Sequence, residues 1–474
     1  MRNIRLLSVL TSMSVGFLLT QASSAAHAEP TLTAKTFAAA AAKVQGEVRL
    51  TGVKTVEGGL AELKLQRFAV FSEDAKIVVE LGDNRREQFG APATAFFRGE
   101  IAGESGSRAF VAVQEDGTVS GLIERNGKMQ QLTDTGVDEQ PLLLQAAAED
   151  SNNVHGSGFT CGSDQLQTPP SLPNAGTAKS VVAPSAESPS AATYRARIAI
   201  ETDFEFYGRF NSQSTATTYV GNLMGYASTI YTAQIQTQLE VSYLRLWATS
   251  ADPWVQTSSS CGMFEFGKYW NDNMGSTSRS IAHMLSGKTT GGGVAWVGVL
   301  CSAGFDTSTA GSSCPGMAAN GNFGGGYGFT GNINGGFNAA NPTPVWDIVA
   351  TSHEIGHNFD SPHTHCYNNV GGSASPVDQC YNGEASNGCY SGAQALPGAP
   401  GSGSGTIMSY CHQLGGGMSN IGLTFGSGHP YGVQPARVPT RMAAHVAARA
   451  TQYPSCLALG SAPLPNNIFS ARFE

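Results

Sequence analysis

Positive charge is scarce in this chain. Its 474 residues carry 27 Lys and Arg against 35 Asp and Glu, a formal net charge of −8. No basic stripe or Lys/Arg cluster occurs, and no lysine follows Lys288. The balance argues against a nucleic-acid partner and against a basic membrane-binding face. Long apolar runs are missing too. The stretch from Leu6 to Leu19 is too short and too interrupted to span a bilayer, and no other segment comes closer, so no transmembrane segment is expected. Arg2 and Arg5 precede that stretch, and Ala26-His27-Ala28 follows it as a small-residue cleavage site before Glu29. Residues 1–28 therefore read as a secretory signal peptide. The expectation is a soluble, secreted, extracellular protein in an oxidising compartment.

Cysteine is sparse in the first half. Of nine, only Cys161 lies there, and Cys261, Cys301, Cys314, Cys366, Cys380, Cys389, Cys411 and Cys456 fill the second half. Eight cysteines can make four disulfides in 105 ways. A short loop from Cys301 to Cys314 is one guess among them. The odd one out is Cys161, in Gly158-Phe159-Thr160-Cys161-Gly162.

The most informative run is His353-Glu354-Ile355-Gly356-His357-Asn358-Phe359-Asp360-Ser361-Pro362-His363. His353 and His357 stand four apart, so on a helix they share one face. Two such imidazoles can hold one zinc ion, and Glu354 can serve as general base toward a water that the ion activates. His363 is too far along for the same face. It reaches the metal only if the helix stops and the chain turns back. Three protein ligands leave a fourth position open, as a catalytic zinc site requires.

This spacing resembles the metzincin peptidases, with Asp360 where that family places glycine. Asp is among the few residues besides Gly that enter the left-handed conformation such a turn needs. The resemblance extends to Gly405-Thr406-Ile407-Met408-Ser409-Tyr410-Cys411. It implies that Met408 packs beneath the histidines as a turn methionine, not as a ligand. In the astacin and serralysin branches a tyrosine at the place of Tyr410 touches the metal or the transition state; a packed aromatic with a satisfied hydroxyl is the other reading. A thiolate is a good zinc ligand. Several metzincin families, the reprolysin/ADAM group among them, keep a precursor latent with a prodomain cysteine on the metal. Cys161 matches that role; a free or intermolecularly paired thiol is the alternative. The group also leaves room for a structural calcium ion, whose ligands the sequence does not assign. His365 misses the ligand spacing, and His412 and His429 lie near enough to the methionine turn to line a cleft.

Domain organisation follows from composition. Residues 29–167 read as a mainly β prodomain after a helix at Ala38 to Ala42. Strand-like runs cover Phe68–Phe71, Lys76–Leu81, Ala109–Val113 and Thr118–Ile123, with Glu115-Asp116-Gly117 as a hairpin signal. The stretch from Phe97 to Ile123 loosely resembles the reprolysin prodomain. Residues 168–192, rich in Pro, Ser and Ala and without a dibasic site, read as a linker open to proteolysis. The catalytic domain is expected over 193–458, with a tail at 459–474. Within it the pattern predicts a strand at Arg195–Asp203, a helix from Ala216 to Gln236, a strand at Leu239–Trp247, a helix at Ser278–Leu285 and a strand at Gly293–Cys301. A Gly/Asn-rich loop follows at 315–340, and Pro344 opens the zinc helix. Gly356 on that helix lets another element come close. The strand at Gly293–Cys301 resembles the metzincin edge strand that binds extended peptide; a plain buried strand is the bland alternative.

The resemblance implies an α/β (α+β) catalytic domain: a twisted mixed sheet over a cleft, with a helical lower part. It implies a zinc endopeptidase that acts on protein or peptide substrates and is inhibited by its own prodomain. Two rivals are an inactive secreted binding or adhesion module on the same fold, which the intact Glu354 disfavours, and a zinc hydrolase of non-peptide bonds.

Overall fold

The computed structural model describes residues 31–55, 57–125, 128–133, 142–146, 160–166, 194–308, 314–335, 343–384 and 388–459. The expected signal peptide, the linker at 168–192 and the tail beyond Leu459 lie outside them. Among the described residues, no helix is long and apolar enough to cross a membrane.

The first part of the chain runs β1 (Thr31–Thr33), α1 (Ala34–Ala41), β2 (Glu47–Lys54), β3 (Leu60–Phe68), β4 (Phe71–Glu80), β5 (Arg86–Phe89), β6 (Ala95–Ile101), β7 (Arg108–Val113), β8 (Val119–Arg125), β9 (Lys128–Thr133), β10 (Leu143–Ala146) and β11 (Thr160–Cys161). Eight of these strands form one sheet in the order β1-β2-β10-β9-β8-β7-β6-β3, and a β2–β3 pairing closes it on itself. Alternation sorts its side chains. On β7, Ala109, Val111 and Val113 fill the barrel with Phe37, Leu50, Leu65 and Phe97. Phe110 and Ala112 point the other way, into the core of the second sheet. Gly117 turns the β7–β8 hairpin with φ +88°.

The rest runs β12 (Tyr194–Thr202), α2 (Phe204–Gly208), α3 (Gln213–Ile235), β13 (Thr237–Trp247), α4 (Ser259–Asn273), β14 (Ile281–Leu285), β15 (Gly292–Ala295), β16 (Phe305–Thr307), β17 (Gly321–Gly324), β18 (Tyr327–Thr330), α5 (Thr343–Asn358), α6 (Arg437–Gln452) and β19 (Leu457–Leu459). Its sheet has the order β11-β15-β18-β14-β12-β13-β4-β5, with β19 against β12. It is mixed: β15 runs antiparallel to β18, and β12, β13 and β14 are parallel. Helices α3, α5 and α6 cover one face and α4 the other. The fold class is thus mixed α+β.

Three expectations change. Ser278–Leu285 contains a strand, β14, not a helix. All five of its residues are buried. A strand covered on both faces loses its polar alternation and shows a continuous apolar run, which a helix can mimic. The Gly/Asn-rich stretch 315–340 contains β17 and the interior strand β18, so it is not simply loop. Its glycines are there for contact: a Cβ on Gly328 would sit 2.7 Å from His283 Nδ1. The strand expected at Gly293–Cys301 pairs only over Gly292–Ala295. The guessed Cys301–Cys314 bridge is also replaced. The disulfides are Cys261–Cys314, Cys301–Cys456, Cys366–Cys389 and Cys380–Cys411, and Cys161 is free and buried.

Candidate metal centre

Helix α5 carries His353, Glu354 and His357 and ends at Asn358. Asp360 then takes φ +73°, the left-handed turn that reverses the chain. Its amide donates to the His357 carbonyl at 2.9 Å. Arg441 on α6 donates to its carboxylate at 2.8 Å. The turn delivers His363 back to the helix.

All three imidazoles are buried, and each has its Nδ1 satisfied. His353 donates to Ile407 O and His357 to Ser361 O, both at 2.7 Å, and His363 donates to Glu384 Oε2 at 2.8 Å. Those acceptors fix the proton on Nδ1 and leave each Nε2 as the lone-pair donor of its ring. The Nε2 atoms of His353 and His357 face one another at 3.1 Å. His363 Nε2 is buried with no hydrogen-bond partner. Cys161 Sγ lies 3.3 Å from His357 Nε2 and 3.3 Å from Glu354 Oε2. The four donor atoms lie within 4.8 Å of one another. Lone pairs that converge and cannot bond each other need a shared cation, and three imidazoles with one sulfur suit tetrahedral zinc. Burial keeps the imidazoles neutral, with His357 pushed down to about 3 and His363 to about 4. It also pushes the Glu354 carboxyl well up, and burial together with Glu354 pushes the Cys161 thiol well up. A divalent cation between these groups reverses both directions.

The supporting residues are close-fitted. A Cβ on Gly356 would lie 2.6 Å from Met408 Sδ, so glycine there admits the methionine beneath the helix. The Met408 carbonyl accepts from Thr364 N at 3.0 Å, which ties this turn to the segment after His363. Gly293 on β15 leaves room for the Glu354 carboxylate, which a Cβ would strike.

Cys161 arrives on β11, which pairs in parallel with β15, Cys161 opposite Gly293. Ser163 Oγ accepts from Ala295 N at 3.0 Å. The Tyr410 hydroxyl accepts from Cys161 N at 2.7 Å and donates to Cys161 O at 2.9 Å. Trp346, Ala350 and Tyr410 pack around the cysteine. The structure therefore brings together Cys161, His353, Glu354, His357, His363, Met408 and Tyr410. His412 is also near, its ring 5.8 Å from Tyr410 and 6.5 Å from Trp346. His429 is further out and bonds Ser404 O at 3.0 Å.

Sequence reasoning missed Glu384. Its Oε2 accepts from His363 and also from His365 Nε2, each at 2.8 Å. Burial alone would raise this carboxyl, but the two histidine hydrogen bonds outweigh it and hold the group well below its ordinary value. No spacing rule links position 384 to the helix motif. The one available signal was an acidic residue between two cysteines. Among the described residues, every metal-capable donor group contains histidine or cysteine. None has the all-oxygen ligand set that calcium prefers, so the structure assigns no calcium site.

Comparison with known proteins adds a partial match. Residues 192–421 match the Reprolysin_5 model, metallo-peptidase family M12. Among curated proteins nothing matches. Among solved structures, metalloproteinase-II from Bacteroides fragilis aligns at 11% identity over 71% of this chain and 89% of that one, with a TM-score of 0.36.

Proposed function

We propose, from the match of residues 192–421 to metallo-peptidase family M12, that the chain is a secreted zinc-dependent endopeptidase made as a latent zymogen. Residues 1–28 are the export signal, 29–167 the prodomain, 168–192 the linker and 193–458 the catalytic domain. The observation that carries this reading is the convergence of three imidazole Nε2 atoms and the Cys161 sulfur within 4.8 Å, beside Glu354.

A zinc ion held there would supply Lewis acidity for the scissile carbonyl and lower the pKa of a bound water. His353, His357 and His363 would hold the ion, their orientation fixed by Ile407 O, Ser361 O and Glu384. Glu354 accepts the proton from the attacking water and passes it to the leaving amine. Tyr410 is placed to donate to the developing oxyanion once Cys161 has left. Met408 is a soft apolar base under the ligands. No serine or cysteine nucleophile takes part. In the precursor the Cys161 sulfur would take the ligand position that water needs, so the prodomain would be the enzyme's own inhibitor. The inactive-module reading is disfavoured because Glu354 is present and its carboxylate has space made for it by Gly293.

The test pairs metal analysis with proteolysis of casein. The activated protein should hold one zinc per chain. Chelation should abolish cleavage, and zinc should restore it. Glu354→Gln should keep the zinc and lose activity by about 10² to 10⁴-fold. Near-normal turnover in that variant would overturn the mechanism.

A further inference from the structure

The N-terminal unit is bound to the rest of the chain in two unequal ways. The contact at the metal is short but well held: β11 pairs two residues with β15, Ser163 accepts from Ala295 N, and the Tyr410 hydroxyl bonds both backbone groups of Cys161. The other contact is extensive. Strand β4 adds to the second sheet in parallel with β13, from Phe71 opposite Val241 to Glu80 opposite Trp247. Backbone bonds continue at both ends, Val241 N to Val70 O at 2.7 Å and Ala248 N to Glu80 O at 2.9 Å. Without β4, the backbone of β13 is a bare sheet edge.

Helix α3 shows the same dependence. It is buried almost all round, polar positions such as Thr217, Asn222 and Thr229 included, which befits a helix packed between two bodies. One body is the second sheet. The other is the barrel. A Cβ on Gly221 would lie 3.0 Å from the Phe96 ring, and one on Gly225 would strike Phe110. These two glycines, four apart, form notches that receive the two aromatic rings. Phe110 also meets Tyr226 edge-on at 6.2 Å. Polar contacts are buried here as well. Arg98 donates to Thr232 Oγ1 at 2.8 Å, and Arg108, paired with Glu124, donates to the Leu423 carbonyl just beyond the methionine turn. If the two bodies part, Arg98 loses Thr232 and Arg108 loses the Leu423 carbonyl while keeping Glu124.

We infer that β1–β10 are a permanent part of the peptidase fold, and that only the short stretch around Cys161 is a removable plug. Activation then consists of freeing residues 160–166 from the cleft, with the barrel left in place. This goes beyond the zymogen reading, which assigns the whole N-terminal unit to inhibition.

The test uses the full chain with sites for one sequence-specific protease introduced at 147–159 and at 168–192. After both cuts, the barrel piece should co-elute with the catalytic piece on size-exclusion chromatography and part from it only in denaturant. The 160–166 peptide should leave, and activity should appear while the barrel is still bound. Phe110→Ala should speed separation of the cut pieces by about tenfold or more. It empties a notch without adding a clash, and Gly225→Leu should act in the same direction from the other side. Release of the barrel under native conditions, leaving a catalytic piece with unchanged circular dichroism, would overturn the inference. Loss of that piece's fold on separation would support it. Co-elution of the barrel and departure of the 160–166 peptide are read without any assay of turnover: if both occur and the protein stays inactive, the peptidase reading fails while the permanent barrel and the removable plug still stand; if activity appears only once the barrel has left, this inference fails.

Discussion

One hydroxyl, that of Tyr410, grips both backbone polar groups of Cys161: it accepts from the amide at 2.7 Å and donates to the carbonyl at 2.9 Å. These two bonds hold Cys161 beside the histidines; on the proposed zymogen reading, Tyr410 becomes available for catalysis when the thiol leaves. Tyr410→Phe should lower kcat of the fully activated enzyme by about 10 to 10³-fold with a smaller change in KM. The same variant's precursor should need less mercurial reagent for activation. An unchanged kcat with weakened latency would make Tyr410 a latch alone.

Removing the sulfur tests latency directly. Cys161→Ala should give a precursor that cleaves peptide before any cut in the chain, whereas the wild-type precursor stays silent until treated with a mercurial. A Cys161→Ala precursor as silent as wild type would show that bulk over the cleft, and not sulfur on the metal, enforces latency.

Glu384 orients His363 from behind, and its loop is tied by Cys366–Cys389 and Cys380–Cys411. Glu384→Gln keeps the shape and removes the charge. Zinc affinity, measured by competition with a chromophoric chelator, should fall by about 10 to 100-fold. Zinc-saturated kcat should change less. Unaltered zinc affinity would reduce Glu384 to packing.

Acid should weaken the fold through His283. Burial pushes this imidazole down to about 3, and its Nε2 bonds Thr330 Oγ1 at 2.8 Å inside the second sheet. The folded value lies below the unfolded value of about 6.5. Its contribution to stability is therefore complete above the unfolded value and is lost as pH falls toward the folded one. The slope from this group is about 1.4 kcal/mol per pH unit across that window. Denaturant unfolding from pH 7 to 4 should show a shallower decline in His283→Asn than in wild type. Equal slopes would place the acid sensitivity elsewhere.

The sequence made the metal helix legible because its chemistry is local. His353 and His357 share a face by helical period alone, and Asp360 stands where a left-handed turn was required. Glu384 was not legible. It reaches His363 through a disulfide-tied loop, and no period connects the two. Strand β14 was hidden by its own burial, and β18 by glycines that read as loop until His283 is seen against Gly328. Nor did the strand-like pattern at Lys76–Leu81 say which sheet it would join. Membership in the second sheet is decided by β13 and the notches of α3, far away in the chain, and only the folded arrangement displays it.

The pairing of β4 with β13 also sets an order in time. A parallel pair between segments so distant in sequence cannot form until Trp247 has been synthesised, and such non-local pairings form slowly. Cys161 is made after β4 and before β13, and every histidine of the metal centre comes later still. When the last of them emerges, the sulfur that lies against them is already on the chain. A growing chain thus passes through no stage in which the histidines are complete and the cysteine is still to come.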